Sequence, residues 1–254
     1  MMNLKTHALQ VLMAAAVGAM VLPARADEVL VAVAANFVGP LAKIGEGFTA
    51  ATGHTLKVSS GATGKFYSQI VAGAPFEVLI AADDDTPRKL IAEGYGVTGS
   101  HFTYAIGKLV LWSAQPGYVD DQGAVLTTGT YAHLAIANPK LAPYGRAGTE
   151  VLRARGLGDA LAPKLVTAES IAQAYQFVAT GNAELGFVAL SQVAVPGKPA
   201  KGSYWLVPPS LYGEIRQDAV LLKTGEKNPA SAALLAYLKS PAAKALIQSY
   251  GYGP

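Results

Sequence analysis

The feature that most constrains this chain is a unit that recurs along it: a short apolar run of strand length, a turn of small residues, then a helical pattern. "EVLVAVAAN" at 28–36 is a continuous apolar run, as expected of a strand covered on both faces. Leu41, Ile44 and Phe48 follow at helical spacing, with Pro40 suited to a helix start and Gly53 to a stop. "HTLKVSS", "GATG" and "KFYSQIVAG" repeat the cycle with Phe66 and Ile70 on one helix face. "FEVLIAA" and "DDDTPRKLIAEG" repeat it again, with aspartates and Pro87 at the helix start and Gly94 at its end. Strands alternating with helices predict an α/β fold with mainly parallel sheets.

A long strand-like segment, "FTYAIGKLVLWSA", leads through a polar passage ending at Gly129 into a second series. This runs "HLAIANP", a helix near Ala147–Leu157, a strand at "KLVTA", the helix "SIAQAYQFVATG" and the strand "LGFVAL". "IRQDAVLLK" and two helices close the chain. The pattern predicts two α/β lobes, residues 27–107 with 218–254 and residues 108–217. Strands near Tyr104–Trp112 and Gln217–Leu222 would cross between them, with a ligand in the cleft at the strand ends.

Composition narrows the function. Residues 1–26 carry Lys5, an apolar run from Ala8 to Leu22 and the triplet Ala24-Arg25-Ala26 after Pro23, the plan of a secretory signal cleaved after Ala26. The apolar run is shorter than the roughly 20 residues a membrane span needs. Removing this segment lowers the net charge from +3 to +1 by loss of Lys5 and Arg25, so the basic footprint of a nucleic-acid binder is missing. The chain has no cysteine, which excludes disulfides, thiolate metal sites and a lipidated first cysteine. These features predict a free periplasmic protein.

Four strand-to-helix turns stand out: "AANF" at 34–37, "SGATG" at 60–64, "NPKLAPYG" at 138–145 and "AESIAQ" at 168–173. Each opens a helix whose first N–H groups lack helical partners and sit at the positive end of the dipole. The turns add the Asn36 amide, the hydroxyls of Ser59, Ser60, Thr63 and Ser170 and the phenol of Tyr144, with few charges. One such turn is ordinary capping; four at corresponding positions predict a site for a dehydrated oxyanion held by neutral dipoles.

A nucleotide site is excluded by spacing: where a Walker loop needs a glycine and a Ser or Thr, "VSSGATGKFYSQI" has Ser59 and Phe66. Lys65 is then a solvated residue that could steer anions. His54, His101 and His133 have no metal-ligand spacing, Asp83–Asp85 suit a helix cap, and no GxSxG elbow occurs. Tyr204, Trp205 and Tyr212 are expected to pack around the hinge.

Taken together, "VAVAANF", "SSGATGKFYSQIVAGAPFEVLIAADDD", "FTYAIGKLVLWS", "ANPKLAPYGRAG" and "LGFVAL" resemble the periplasmic molybdate-binding proteins of ABC transporters over essentially the whole mature chain. The resemblance implies the type II two-lobed periplasmic-binding-protein fold and a non-enzymatic, monomeric carrier. Such a carrier would deliver molybdate or tungstate to a membrane permease without a cofactor and without protein ligands to the metal. It also implies a binding set of Ala35 (backbone), Asn36, Thr63, Tyr144 and the backbone N–H of Ile171. Asn36 and Thr63 stand where many members have serine. Ala189 stands where some have tyrosine, a role that Tyr144 would take over. A sulfate or phosphate carrier on the same fold, an exported hydrolase and a sensory binding protein are the competing readings.

Overall fold

The computed structural model describes residues 26–198 and 201–254; the signal predicted over 1–26 therefore lies, except for Ala26, outside the described residues. Strand β1 (Glu28–Ala34) passes through a single 3-10 turn at Ala35–Phe37 into helix α1 (Val38–Thr52), which Gly53 ends in the left-handed region at φ 77°. Then come β2 (Thr55–Gly61), α2 (Thr63–Val71), β3 (Val78–Ile80), α3 (Asp85–Ala92) and β4 (Phe102–Gly107). Asp83 accepts the N–H of Thr86 at 2.9 Å, so the aspartate run caps α3 as predicted.

The long segment predicted after Gly99 is two strands. It breaks at Lys108, and β5 (Leu109–Ser113) belongs to a different sheet from β4. The second series comprises α4 (Val125–Thr128), β6 (Leu134–Ala137), α5 (Pro143–Ala154), α6 (Gly158–Leu161), β7 (Leu165–Ala168), α7 (Ile171–Ala179), β8 (Leu185–Ala189), α8 (Leu190–Val193) and β9 (Ser203–Leu206). The chain returns in β10 (Ile215–Leu221) and closes with α9 (Pro229–Leu238) and α10 (Pro241–Ser249).

Two five-stranded sheets result, ordered β2-β1-β3-β10-β4 and β7-β6-β8-β5-β9. They share one plan. In each, one strand, β1 or β6, has two parallel neighbours, and the strand that has just arrived from the other sheet, β10 or β5, pairs antiparallel on both sides. The sheets are thus mixed rather than mainly parallel. Periodicity reports burial but not strand direction, which the crossings set.

The cores follow the predicted faces. Val29, Val31 and Val33 of β1 pack with Leu41, Ile44 and Phe48 of α1, all at most 1% exposed, each such side chain contributing about 1.5–3 kcal/mol of burial. A second core joins β5, β6 and β8 to α5 and α7. Among the described residues no helix is long and apolar enough to cross a membrane. Tyr204 and Trp205 lie on β9, an edge strand; Trp205 is buried, with Arg155 stacked 5.1 Å from its ring centre. Tyr212 is the one at the crossing, accepting the N–H of Leu109 at 3.2 Å.

Candidate functional site

Helix α5 begins at Pro143, four residues before the predicted start, because proline suits a first helical position where no N–H is needed. That start puts Tyr144 in the first turn, 1% exposed and aimed between the lobes. Thr63 opens α2, Ile171 opens α7, and Ala35 and Asn36 form the 3-10 turn before α1. These five residues, Ala35, Asn36 and Thr63 from one lobe and Tyr144 and Ile171 from the other, line a single cavity. Its lining has no carboxylate, imidazole or ammonium group. The centre of a water-sized sphere has about 10 Å³ to occupy there, room for one water, so a tetrahedral oxyanion requires the lobes to ease apart slightly.

The hydrogen bonds around the cavity determine what each group can offer. Thr63 Oγ1 accepts the N–H of Ala82 at 3.0 Å, which leaves its own proton for the cavity. Tyr144 Oη accepts from Gln217 Nε2 at 3.0 Å, again leaving the phenol proton free. Burial, reinforced by nearby Tyr252 and only partly offset by the Gln217 bond, pushes the Tyr144 phenol well above its usual range, so it stays a neutral donor. Asn36 behaves differently from what the sequence suggests. Its Nδ2 donates to Gln217 Oε1 and to Tyr252 Oη, both at 2.9 Å, while its Oδ1 is buried with no partner among the described residues. The donors that this turn can turn inward are therefore backbone N–H groups.

The same groups join the lobes. Ser191, in α8, donates to the Asn36 carbonyl at 2.9 Å and lies 3.0 Å from Tyr252 Oη. Over the cavity, Gly64 N–H donates to Leu141 O at 2.9 Å. A Cβ at Gly64 would stand 3.1 Å from Leu141 Cα and O, so any larger residue would push the Leu141 backbone away by a few tenths of an ångström.

Ser59, Ser60 and Ser170 do not reach this cavity. They line a wider pocket of about 280 Å³ at the cleft mouth with Lys65 and Glu169, and Ser170 caps α7 by accepting the Gln173 N–H at 3.4 Å. Lys65 Nζ and Glu169 Oε2 sit 3.5 Å apart across the mouth, both more than half exposed. No group of metal-ligating side chains occurs among the described residues. Gln217, which contacts two of the lining side chains, has no motif that would single it out. The available signal was the polar run Arg216-Gln217-Asp218 between apolar residues of one strand, since buried polar residues are uncommon and usually purposeful.

The family model for bacterial extracellular solute-binding proteins matches residues 29–253. The molybdate-binding protein ModA of Azotobacter vinelandii is 61% identical over 236 residues, covering 93% of this chain and 94% of that protein. ModA of Rhodobacter capsulatus is 57% identical over 231 residues, 91% of this chain and 90% of its own length. Among solved structures, the Azotobacter vinelandii periplasmic molybdate-binding protein superposes with a TM-score of 0.87 at 44% identity, covering 89% of this chain and 99% of that one. With its two α/β lobes and a cavity lined by neutral groups between them, the chain belongs to the bacterial extracellular solute-binding proteins and, within them, to the molybdate-binding protein family.

Proposed function

We infer that this protein captures molybdate, and tungstate as its near-isosteric congener, outside the cytoplasmic membrane and hands it to an ABC permease as a monomeric carrier. Residues 1–26 act as its export signal, and the lobes divide at residues 107/108 and where β10 begins, since Gln217 pairs with Ala105 in the first sheet. The observation that carries the reading is the convergence of Ala35, Asn36, Thr63, Tyr144 and Ile171 on one charge-free cavity between the lobes. A doubly charged oxyanion in such a place is held by N–H and O–H dipoles, which need no counter-ion when water is excluded. Donors come from both lobes, so the ligand stabilises the closed arrangement over the open one, which is all that capture and release require.

The oxygens of the anion would meet the Thr63 hydroxyl and the backbone of Ala35 and Asn36 on one side, and the Tyr144 phenol and Ile171 N–H on the other. Sulfate has the same shape and charge but is smaller, so selection would follow from how far the lobes can close before donors lose contact. Calorimetric titration with molybdate, tungstate, sulfate and phosphate tests the reading. It expects tight one-to-one binding of the first two; saturable binding of sulfate or phosphate with none of molybdate would overturn it.

A further inference from the structure

Gln217 is fully buried on β10, in the lobe opposite Tyr144. It is the centre of a four-residue hydrogen-bond cluster. Its Oε1 accepts from Asn36 Nδ2 and faces Tyr104 Oη, each at 2.9 Å, and its Nε2 donates to Tyr144 Oη at 3.0 Å. Two backbone features build this position. The β4–β10 ladder shifts register at Gln217/Asp218: Gln217 pairs with Ala105 but Asp218 with Thr103, so Tyr104 is the extra residue. Such a bulge re-aims side chains locally, and here it brings Tyr104 and Gln217 together. Gly107, the last residue before the crossing, leaves room for the contact, since a Cβ there would overlap both Tyr144 Oη and Gln217 Nε2.

We propose that Gln217 is a positioning residue of the binding site: by donating across the cleft to Tyr144 Oη it fixes the phenol as a donor toward the ligand, and it makes that orientation available only when the lobes are closed. A hydroxyl that accepts one bond has its proton left to give. With the lobes apart, Gln217 and Tyr144 separate and the phenol can turn to water. Donor orientation and closure thus become a single event, and Asn36 is held by the same amide. This proposal rests on the reading of the cavity as the molybdate site.

A double-mutant cycle with molybdate as titrant tests it, using the full mature chain. Gln217→Met keeps the side-chain length and removes the amide. It should weaken molybdate binding by at least about 10-fold with Tyr144 present, the scale of a hydrogen bond to a charged group. With Tyr144→Phe already in place it should weaken binding by no more than about 2-fold, because the phenol it orients is gone and Asn36 keeps its bond to Tyr252. The ligand-free thermal midpoint, measured alongside, reports any purely structural cost, which should be equal in the two backgrounds. Equal weakening of affinity in both backgrounds would overturn the proposal while leaving the molybdate reading intact. Failure of the unmodified protein to bind molybdate would overturn both. Should Gln217→Met not fold, Gly107→Ala, which crowds the Gln217–Tyr144 contact without removing a polar group, is held to the same criterion.

Discussion

The two lobes touch at an inner cluster and at an outer rim, and the two contacts are built from opposite chemistry. Inside, Tyr144–Gln217 and Ser191–Asn36 join the lobes through neutral groups that are almost wholly buried. At the rim, Lys65 and Glu169 meet at 3.5 Å with both side chains largely in water. Buried dipoles in fixed positions are strong because nothing screens them, whereas an exposed ion pair contributes about 0–1 kcal/mol and weakens with salt. On the proposed reading, recognition and closure depend on the inner cluster, and the charged rim affects at most how the ligand arrives.

Removing inner donors should have the largest effect. Tyr144→Phe and Thr63→Ala are each expected to weaken molybdate binding by about 10- to 100-fold, measured by calorimetry. Thr63→Ala should also lower the thermal midpoint, because it leaves the buried Ala82 N–H without its acceptor. If both variants bound like the unmodified protein, the inner cluster would not be the site.

Gly64→Ala should act next, by about 10-fold. It adds no charge and removes no donor, but places a methyl group 3.1 Å from the Leu141 backbone and so resists closure. The loss should show as faster ligand dissociation in stopped-flow fluorescence. Unchanged dissociation would mean that the lobes need not approach this closely.

Alkaline pH probes the same cluster. Burial raises the phenols of Tyr104, Tyr144 and Tyr252 above their ordinary value in the folded protein. Their stabilising contribution is therefore complete below the unfolded value near pH 10 and is lost as the pH rises above it. The thermal midpoint should show no decline from these groups between about pH 7 and 9 and should fall beyond pH 10. A decline starting near pH 8 would contradict the burial of this cluster.

The rim should matter least. Lys65→Gln is expected to change molybdate affinity by less than about 2-fold, with a modest slowing of association that disappears at about 0.5 M salt. A loss comparable to that of Tyr144→Phe would erase the distinction between the two regions.

Much of this architecture was legible because each turn carries its own chemistry. The Gly61–Gly64 turn and Ser170 mark helix starts by rules that act over three or four residues, and the candidate site residues are carried on such starts; the start at Pro143 lies four residues before the predicted one, inside a predicted turn. Strand direction was not legible in β5 and β10, since an apolar run reads the same whether its neighbours are parallel or antiparallel. Nor was β9, a four-residue edge strand with Tyr204 turned to solvent and Trp205 inward. The roles of Asn36 and Gln217 required the tertiary structure. The sequence offers an amide at each position, but only their placement beside Tyr104, Tyr144 and Tyr252 shows that the Asn36 amide is committed inside the protein and that Gln217 reaches across the cleft.

The most direct test is a calorimetric titration of the mature protein with molybdate at about 0.05 M and 0.5 M sodium chloride, with sulfate and phosphate as controls. A closed cage of neutral donors predicts tight one-to-one molybdate binding whose affinity changes by less than about 2-fold between the two salt concentrations. A steep fall in affinity with salt, or saturable sulfate or phosphate binding without molybdate binding, would contradict it.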